Sequence, residues 1–461
     1  MQSNHTRGNR LKAFGRAATF LTALVILEAA AARPAEAAPF AYLTNWSSNT
    51  VTVLDIATNT VTATIAVGSD PVSVAVSPDG KFVYVANEDS NTISVIATAT
   101  NTVTATIGVG LAPLGVAVSP DGKFVYVTNT GSNTVSVIAT AGNTVTATVG
   151  VGSGPGGVAV SPDGKFVYVA NFSSNTVSVI ATATSTVMAT VGVGLGPFGI
   201  AVSPDGKFVY VAGTGVSVID AAINTVTATV FPAAGPAFGI AVSPDGKFVY
   251  VTNYTSSYVS VIATAGNTLT ATVGLGIDSY PRGVAVTPDG KSVYVALESY
   301  TDVSVIATAS NMVTATVGVR NGSWGIAIAP TPFAAFKAAL EIDFGKTPNT
   351  DVFGLLGEFT LGHDSKGIYP PDEAVSLSVG TFSTTIPAGS FQGSGYGPFY
   401  FLGTVDGVDL QVGIVPTGAK RYALGAAAEH ASLTGTTNPV PVILSFGGDA
   451  GSTSANAVIF H

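Results

Sequence analysis

The side chains that most reactions need are scarce in this chain, and their positions decide what chemistry is open to it. Beyond residue 38 the histidines are His363, His430 and His461, and cysteine is absent throughout. There is therefore no disulfide, no thiolate ligand and no thiol nucleophile. His363 beside Asp364 and His430 after Glu429 have the makings of a metal pair, but the spacing matches no ligand motif. A loop or strand-edge place accounts for both. Between residues 39 and 330, outside a recurrent turn described below, the acids are Asp55, Asp70, Glu88, Asp89, Asp220, Asp278, Glu298 and Asp302, and the bases are Arg282 and Arg320. Glu88 with Glu298 could act as an acid and base pair, although two solvated loop carboxylates are the plainer reading. Serine and threonine are abundant there but have no histidine to activate them. The residues point to no catalytic group, no metal and no cofactor.

The elements that must position these few groups come from an internal repeat. Ser77-Pro78-Asp79-Gly80-Lys81 recurs from Ser119, Ser161, Ser203 and Ser243, and as Thr287-Pro288-Asp289-Gly290-Lys291, at spacings of 42, 42, 42, 40 and 44 residues. A period of this size signals a propeller or a solenoid. Each unit reads as four short strands, in the second unit Gly115 to Ser119, Phe124 to Asn129, Thr134 to Ile138 and Thr144 to Val149. Four antiparallel strands make one propeller blade, with Pro-Asp-Gly turning the hairpin between the innermost strand and the next.

Second strands begin near Tyr42, Tyr84, Tyr126, Tyr168, Tyr210, Tyr250 and Tyr294, which gives seven blades. The first unit starts at a second strand, Phe40 to Asn45, and the last leaves an orphan innermost strand, Gly325 to Pro330. Together they complete one blade and close the ring, which removes the need for capping repeats. The expected fold is all-β: a seven-bladed β-propeller over residues 39–330, closed by a composite N- and C-terminal blade. Residues 331–461 leave the period and read as a small antiparallel β-sandwich. Its expected strands are Ala339 to Phe344, Gly354 to Leu361, Ala374 to Val379, Phe399 to Val405, Asp409 to Ile414 and Val440 to Phe446, with a helical turn or two possible over Phe333 to Leu340.

Tyr126-Val127-Thr128-Asn129, Ser132-Asn133-Thr134-Val135-Ser136-Val137-Ile138 and the Ser-Pro-Asp-Gly-Lys turns resemble the YVTN-repeat family of β-propellers, which includes the YncE-like exported proteins. The resemblance covers residues 40 to 330. It implies the seven-bladed fold and leaves function open, since the family spans surface-layer components, periplasmic proteins, and relatives among lactonase-type and haem-binding propellers. A haem-binding propeller would lack its axial histidine here.

Composition sets the surroundings. Only 10% of the 461 residues are charged, and the formal net charge is −9. Residues 1–38 read as a signal peptide: Arg7, Arg10, Lys12 and Arg16, an apolar run from Ala17 to Ala32, and the small-residue site Ala35-Glu36-Ala37. Its removal takes away five basic and two acidic residues, moving the net charge to −12. The remainder contains no stretch long and apolar enough to span a membrane, and its acidity disfavours nucleic acid. The expectation is a secreted, periplasmic or cell-surface protein.

Because the repeats are copies of one another, positions that vary between units call for a reason beyond the blade. Two rings vary, both on the face opposite the Pro-Asp-Gly turns. One precedes the innermost strands: Val72, Leu114, Gly156, Phe198, Phe238, Arg282 and Trp324. The other follows the second strands: Trp46, Glu88, Thr130, Phe172, Thr214, Tyr254 and Glu298. Aromatics beside an arginine have the composition of a binding hot spot. The candidate ligand-binding residues are Trp46, Glu88, Phe172, Phe198, Phe238, Tyr254, Arg282, Glu298 and Trp324. Phe198, Phe238, Arg282 and Trp324 could hold an anionic or planar group; alternatively, the rings cap the channel and Arg282 forms an exposed ion pair with Glu298. The expected role is a non-enzymatic binding or scaffold protein whose partner is a protein, peptide or polysaccharide of the cell envelope or exterior. A lactonase-like hydrolase and a structural surface-layer component are the alternatives.

Overall fold

Runs of β-branched residues bounded by Asn-Thr and Pro-Asp-Gly turns set the strand boundaries, and the computed structural model of the protein has a strand at each of them. The structure describes residues 40–329, apart from 233–234, 300–301 and 320–321, and beyond them chiefly ten strands between Thr331 and Phe460. The leader expected at residues 1–38 lies outside the described residues.

The propeller consists of seven four-stranded antiparallel sheets. Blade 2 is typical, with strands Pro71–Val76, Phe82–Asn87, Thr92–Ala97 and Thr102–Gly108 from the axis outward. Blades 3 to 7 follow in chain order. Blade 1 is composite: Ser323–Ile328 supplies the innermost strand beside Phe40–Asn45, with Ala41 opposite Ile328 and Leu43 opposite Ile326. The ring is closed by strands from two distant parts of the chain, as the orphan segments predict.

Seven apolar clusters hold the ring, one at each interface between neighbouring blades. Between blades 1 and 2, for example, Tyr42, Val53 and Ile65 meet Val74, Val85 and Ile96. Each fully buried Val or Ile contributes roughly 1.5–3 kcal/mol. The turns are built from side chains: Ser77 Oγ donates to Asp79 Oδ1 at 2.7 Å, and Asp79 accepts from the Lys81 N–H at 3.1 Å. Gly80 supplies the left-handed conformation at φ 69°. Six such turns carry Asp–Lys pairs, all on the same face of the ring.

Beyond the ring the structure departs from expectation. The strands join into one ten-stranded sheet through the long strand Thr331–Asp343, which pairs antiparallel with Asp351–Leu361 and, near its start, parallel with Asp449–Ala455. The possible helical turn over Phe333 to Leu340 is part of that strand. Its alanines favour helix in isolation, and pairing on both edges overrides them. Phe382–Ile386, Arg421–Ala431, Asp449–Ala455 and Ala457–Phe460 are additional strands. His430 falls within Arg421–Ala431, while His363 and His461 lie outside the described residues.

Candidate functional site

The mouth of the central channel is shaped by a local irregularity repeated around the ring. Where the innermost strand begins in every blade but blade 5, its register against the second strand shifts, as between Pro113 and Val116, Ala237 and Ile240, and Pro281 and Val284. A bulge of this kind re-aims side chains. The residues in it are the variable ones, Leu114, Phe238 and Arg282, each followed by glycine. That glycine is required: a Cβ on Gly239 would lie 2.2 Å from the Arg282 carbonyl, and one on Gly199 would lie 2.3 Å from that of Phe238. Scaffold and site thus divide neighbouring positions, glycine for blade-to-blade approach and a free choice before it.

On blades 5, 6, 7 and 1 that choice builds an aromatic cage around Arg282. Its guanidinium carbon lies 3.9 Å from the Trp324 ring centroid, 4.3 Å from that of Tyr254 and 4.6 Å from that of Phe238. Phe198 stacks on Phe238 at 4.0 Å, and Tyr280 lies 5.2 Å from Tyr254. Glu298 Oε2 accepts from Arg282 Nε at 2.9 Å and from the Tyr254 hydroxyl at 2.7 Å, and Arg282 Nη2 lies 2.9 Å from the same oxygen as an ion-pair contact. Nη2 also reaches the Tyr254 oxygen at 3.3 Å. The Arg282 and Glu298 side chains are only 13% and 20% exposed, so the pair is largely buried and not the exposed one considered from sequence. Burial, with the bond to Glu298, raises the Tyr254 pKa against the opposing pull of Arg282. Nη1 of Arg282 has no protein hydrogen bond among the described residues.

Below the cage is a cavity of about 160 Å³, space for about five waters, walled by the first residues of the innermost strands. Val72, expected in the ring, is fully buried in the interface between blades 2 and 3, where Leu114 and Trp324 pack against the same cluster. Gly156 presents no side chain. Of the second ring, Tyr254 and Glu298 join the cage. Trp46 and Phe172 are exposed on the same face, and Glu88 belongs to a separate acidic group with Asp70 and Asp89. No hydrogen bond joins Glu88 to Glu298 among the described residues. Burial first, and then the charges of Asp70 and Asp89, push the Glu88 carboxyl above its ordinary range. Asp70 is raised by burial and by Asp89. Tyr280 was not singled out from sequence; its positive φ of 44° in the loop between blades 6 and 7 leaves no mark in the residue pattern. Among the described residues no group of acidic or histidine side chains has the disposition of a metal site, and no helix is long and apolar enough to cross a membrane.

Comparison with known proteins agrees with this architecture. A model of YNCE-like β-propellers matches residues 15–128 and 123–224, and one of lactonase seven-bladed β-propellers matches residues 214–316. No curated protein matches the chain. Among solved structures, Kuenenia stuttgartiensis hydrazine synthase superposes with a TM-score of 0.52 at 24% identity, over 56% of this chain and 90% of that one. A functionally unknown protein of Desulfotomaculum acetoxidans gives 0.57 at 21%, over 63% and 98%. A Bacteroides uniformis protein named as a candidate 6-phosphogluconolactonase gives 0.55 at 21%, over 64% and 100%. At these identities the likeness is one of fold.

Proposed function

We propose that this YNCE-like seven-bladed β-propeller is an exported binding protein that receives its ligand at the mouth of the central channel. The carrying observation is the cage itself. Blades 3 and 4 manage with Leu114 and Gly156 where blades 5, 6, 7 and 1 place Phe198, Phe238, Arg282 and Trp324, so the fold does not require these four. Glu298 neutralises Arg282 and three rings cover its faces. What remains for a ligand is an aromatic wall and the donor Nη1. That combination suits a ring or planar group bearing one hydrogen-bond acceptor more than a free multivalent anion.

The chain's two tryptophans allow a direct test. With Trp46→Phe in place, Trp324 is the sole tryptophan and, excited selectively over the tyrosines, reports on the mouth. Titration with a set of oligosaccharides and short peptides should find ligands that alter its emission. Phe238→Ala and Arg282→Lys should weaken them by tenfold or more. Ligands that bind with affinity unchanged in both variants would place the site elsewhere.

Lactone hydrolysis is the second reading, supported by the lactonase-type match over residues 214–316, which contain Tyr254, Arg282 and Glu298. Glu298 is committed to two donors, so the better candidate for proton transfer is Glu88, whose pKa is raised. Turnover of simple lactones that disappears in Glu88→Gln or Glu298→Gln would replace the binding reading with this one.

A further inference from the structure

The rim around the mouth is divided into an apolar half and an acidic half. Loops linking successive blades carry Leu111, Leu195, Phe231 and Ile277, which are 60%, 63%, 71% and 83% exposed. All four lie on the cage side of the ring, between blades 2 and 3, 4 and 5, 5 and 6, and 6 and 7. Phe172 of blade 4, half exposed, joins them: a Cβ on Gly196, next to Leu195, would lie 3.2 Å from its ring. Exposed apolar side chains are ordinary singly; an arc of five on one face marks a contact surface.

The other half, over blades 7, 1 and 2, carries Asp70, Glu88, Asp89 and Asp302, and Asp278 follows Ile277 where the two halves meet. Asp70 and Glu88 are joined through the backbone, the Glu88 N–H donating to the Asp70 carbonyl at 2.8 Å, and Asp70 Oδ1 is buried with no hydrogen-bond partner. The one base described on this face, Arg282, is already paired with Glu298. On the opposite face each of the six Pro-Asp-Gly carboxylates has its own lysine, as in Asp79 with Lys81, and among the described residues Asp55 and Asp220 are the carboxylates there without one. Among the described residues of the ring, most carboxylates without a basic partner therefore lie on the face that bears the mouth.

We infer that this face docks an extended polypeptide segment that is basic at one end and apolar at the other, lying across the mouth from the acidic rim of blades 7 and 2 to the apolar arc of blades 3 to 6. Charge complementarity selects the basic end, and the absence of unpaired cations among the described residues argues against an anionic lipid surface. The inference rests on the binding reading above and names its partner class.

The test uses the full chain and a synthetic twelve-residue peptide with three lysines followed by three leucines spaced by serine. Three controls accompany it: a peptide with glutamate for lysine, a peptide with serine for leucine, and phosphatidylcholine–phosphatidylglycerol vesicles. Fluorescence anisotropy should show binding of the first peptide, at least tenfold weaker for each control peptide, and none to the vesicles. Asp70→Asn with Glu88→Gln and Asp89→Asn should cost tenfold. Leu195→Ser with Phe231→Ser and Ile277→Ser should cost a similar factor. All six side chains lie at the rim, and matching circular dichroism and melting temperatures will show that the ring is intact. Equal binding of the glutamate peptide, equal binding of vesicles, or unchanged affinity in both rim variants would overturn the inference. If the rim variants matter and Phe238→Ala does not, the docking surface stands and the cage reading falls. If small ligands require Phe238 while the peptide ignores the rim, the reverse holds.

Discussion

Replacing Arg282 by alanine separates the two accounts of the mouth most sharply. An exposed Arg–Glu pair contributes about 0–1 kcal/mol, and on that basis the melting temperature would hardly change. The observed pair is largely buried, shares one hydrogen bond and one ion-pair contact, both of 2.9 Å, and lies against three aromatic rings. A desolvated cation–π contact contributes about 2 kcal/mol, and breaking a buried pair costs roughly 3–5 kcal/mol because the remaining charge is stranded. Glu298 keeps some access to water and Tyr254 still donates to it, so we take about 2–4 kcal/mol for Arg282→Ala. In a ring of this size that corresponds to a fall of roughly 4–8 °C in melting temperature. Arg282→Lys keeps the charge but loses the planar fork and should fall between the two. A double-mutant cycle with Glu298→Gln in urea should return a coupling of about 1 kcal/mol or more. A cost below about 0.5 kcal/mol, the ordinary value for a surface substitution, would show that the cage is not a stabilised unit and would refute the reasoning.

Two further outcomes follow from the ring and its charges. Truncation after Trp324 removes Ile326 and Ile328, which pair with Leu43 and Ala41, and should unfold or strongly destabilise the propeller; truncation after Pro330 should leave it folded, and equal melting of the two would count against the composite blade. The pH profile should have two limbs. For Asp205, Asp245 and Asp289, burial opposes ionisation, but hydrogen bonds from Ser203, Ser243 and Thr287 and from the following lysines outweigh it and lower the pKa. Their stabilisation is present above the ordinary value of 3.8 and is lost as the pH falls below it toward the folded value. Asp70 and Glu88 are raised instead, so their charged forms cost stability at neutral pH and the cost is relieved as the pH falls through the raised values. Thermal melts should show a slight rise on mild acidification, then a loss below about pH 4. Asp70→Asn with Glu88→Gln should abolish the first limb only, and its persistence would refute the assignment.

The parts of this protein legible in its residues are those that the repeat copies. Strand boundaries, blade count and ring closure all follow from Pro-Asp-Gly spacing and from the two orphan strands, because local turn chemistry and strand period agree in every unit. The two variable rings were also visible, since a copy that departs from its siblings stands out within one sequence. The pairing of Arg282 with Glu298 was also legible, since both flank one hairpin of blade 7, but the joining of Tyr254 to them was not, because it depends on how one blade sits against the next. Nor was the burial of Arg282, which requires Phe238 and Tyr254 of blade 6 and Trp324 of blade 1 to converge on it. Beyond residue 330 nothing repeats, and the alanine-rich stretch before Leu340 gave a helical signal that strand pairing overrides.

A small variation within the otherwise uniform second strand bears on why the cage is so well fixed. Its fifth position is Thr44, Thr128 and Thr252 in blades 1, 3 and 6, and alanine in blades 2, 4, 5 and 7. Thr252 accepts from the Gly239 N–H at 2.7 Å and donates to the Arg282 carbonyl at 2.8 Å. Thr44 does the same between the Gly325 N–H, at 2.8 Å, and the Val72 carbonyl, at 3.0 Å. One buried hydroxyl thus pins the backbone beside Phe238 to that of Arg282, and another pins the backbone that follows Trp324. Buried hydroxyls with both hydrogen-bonding capacities met fix register without leaving a polar group unsatisfied. The backbones of Phe238 and Arg282 are thereby set relative to one another, and that of Trp324 is set relative to blade 2, before any ligand arrives. A ligand at the mouth meets a preorganised wall, and the ordering cost that weakens most loop-built sites falls instead on the folding of the ring.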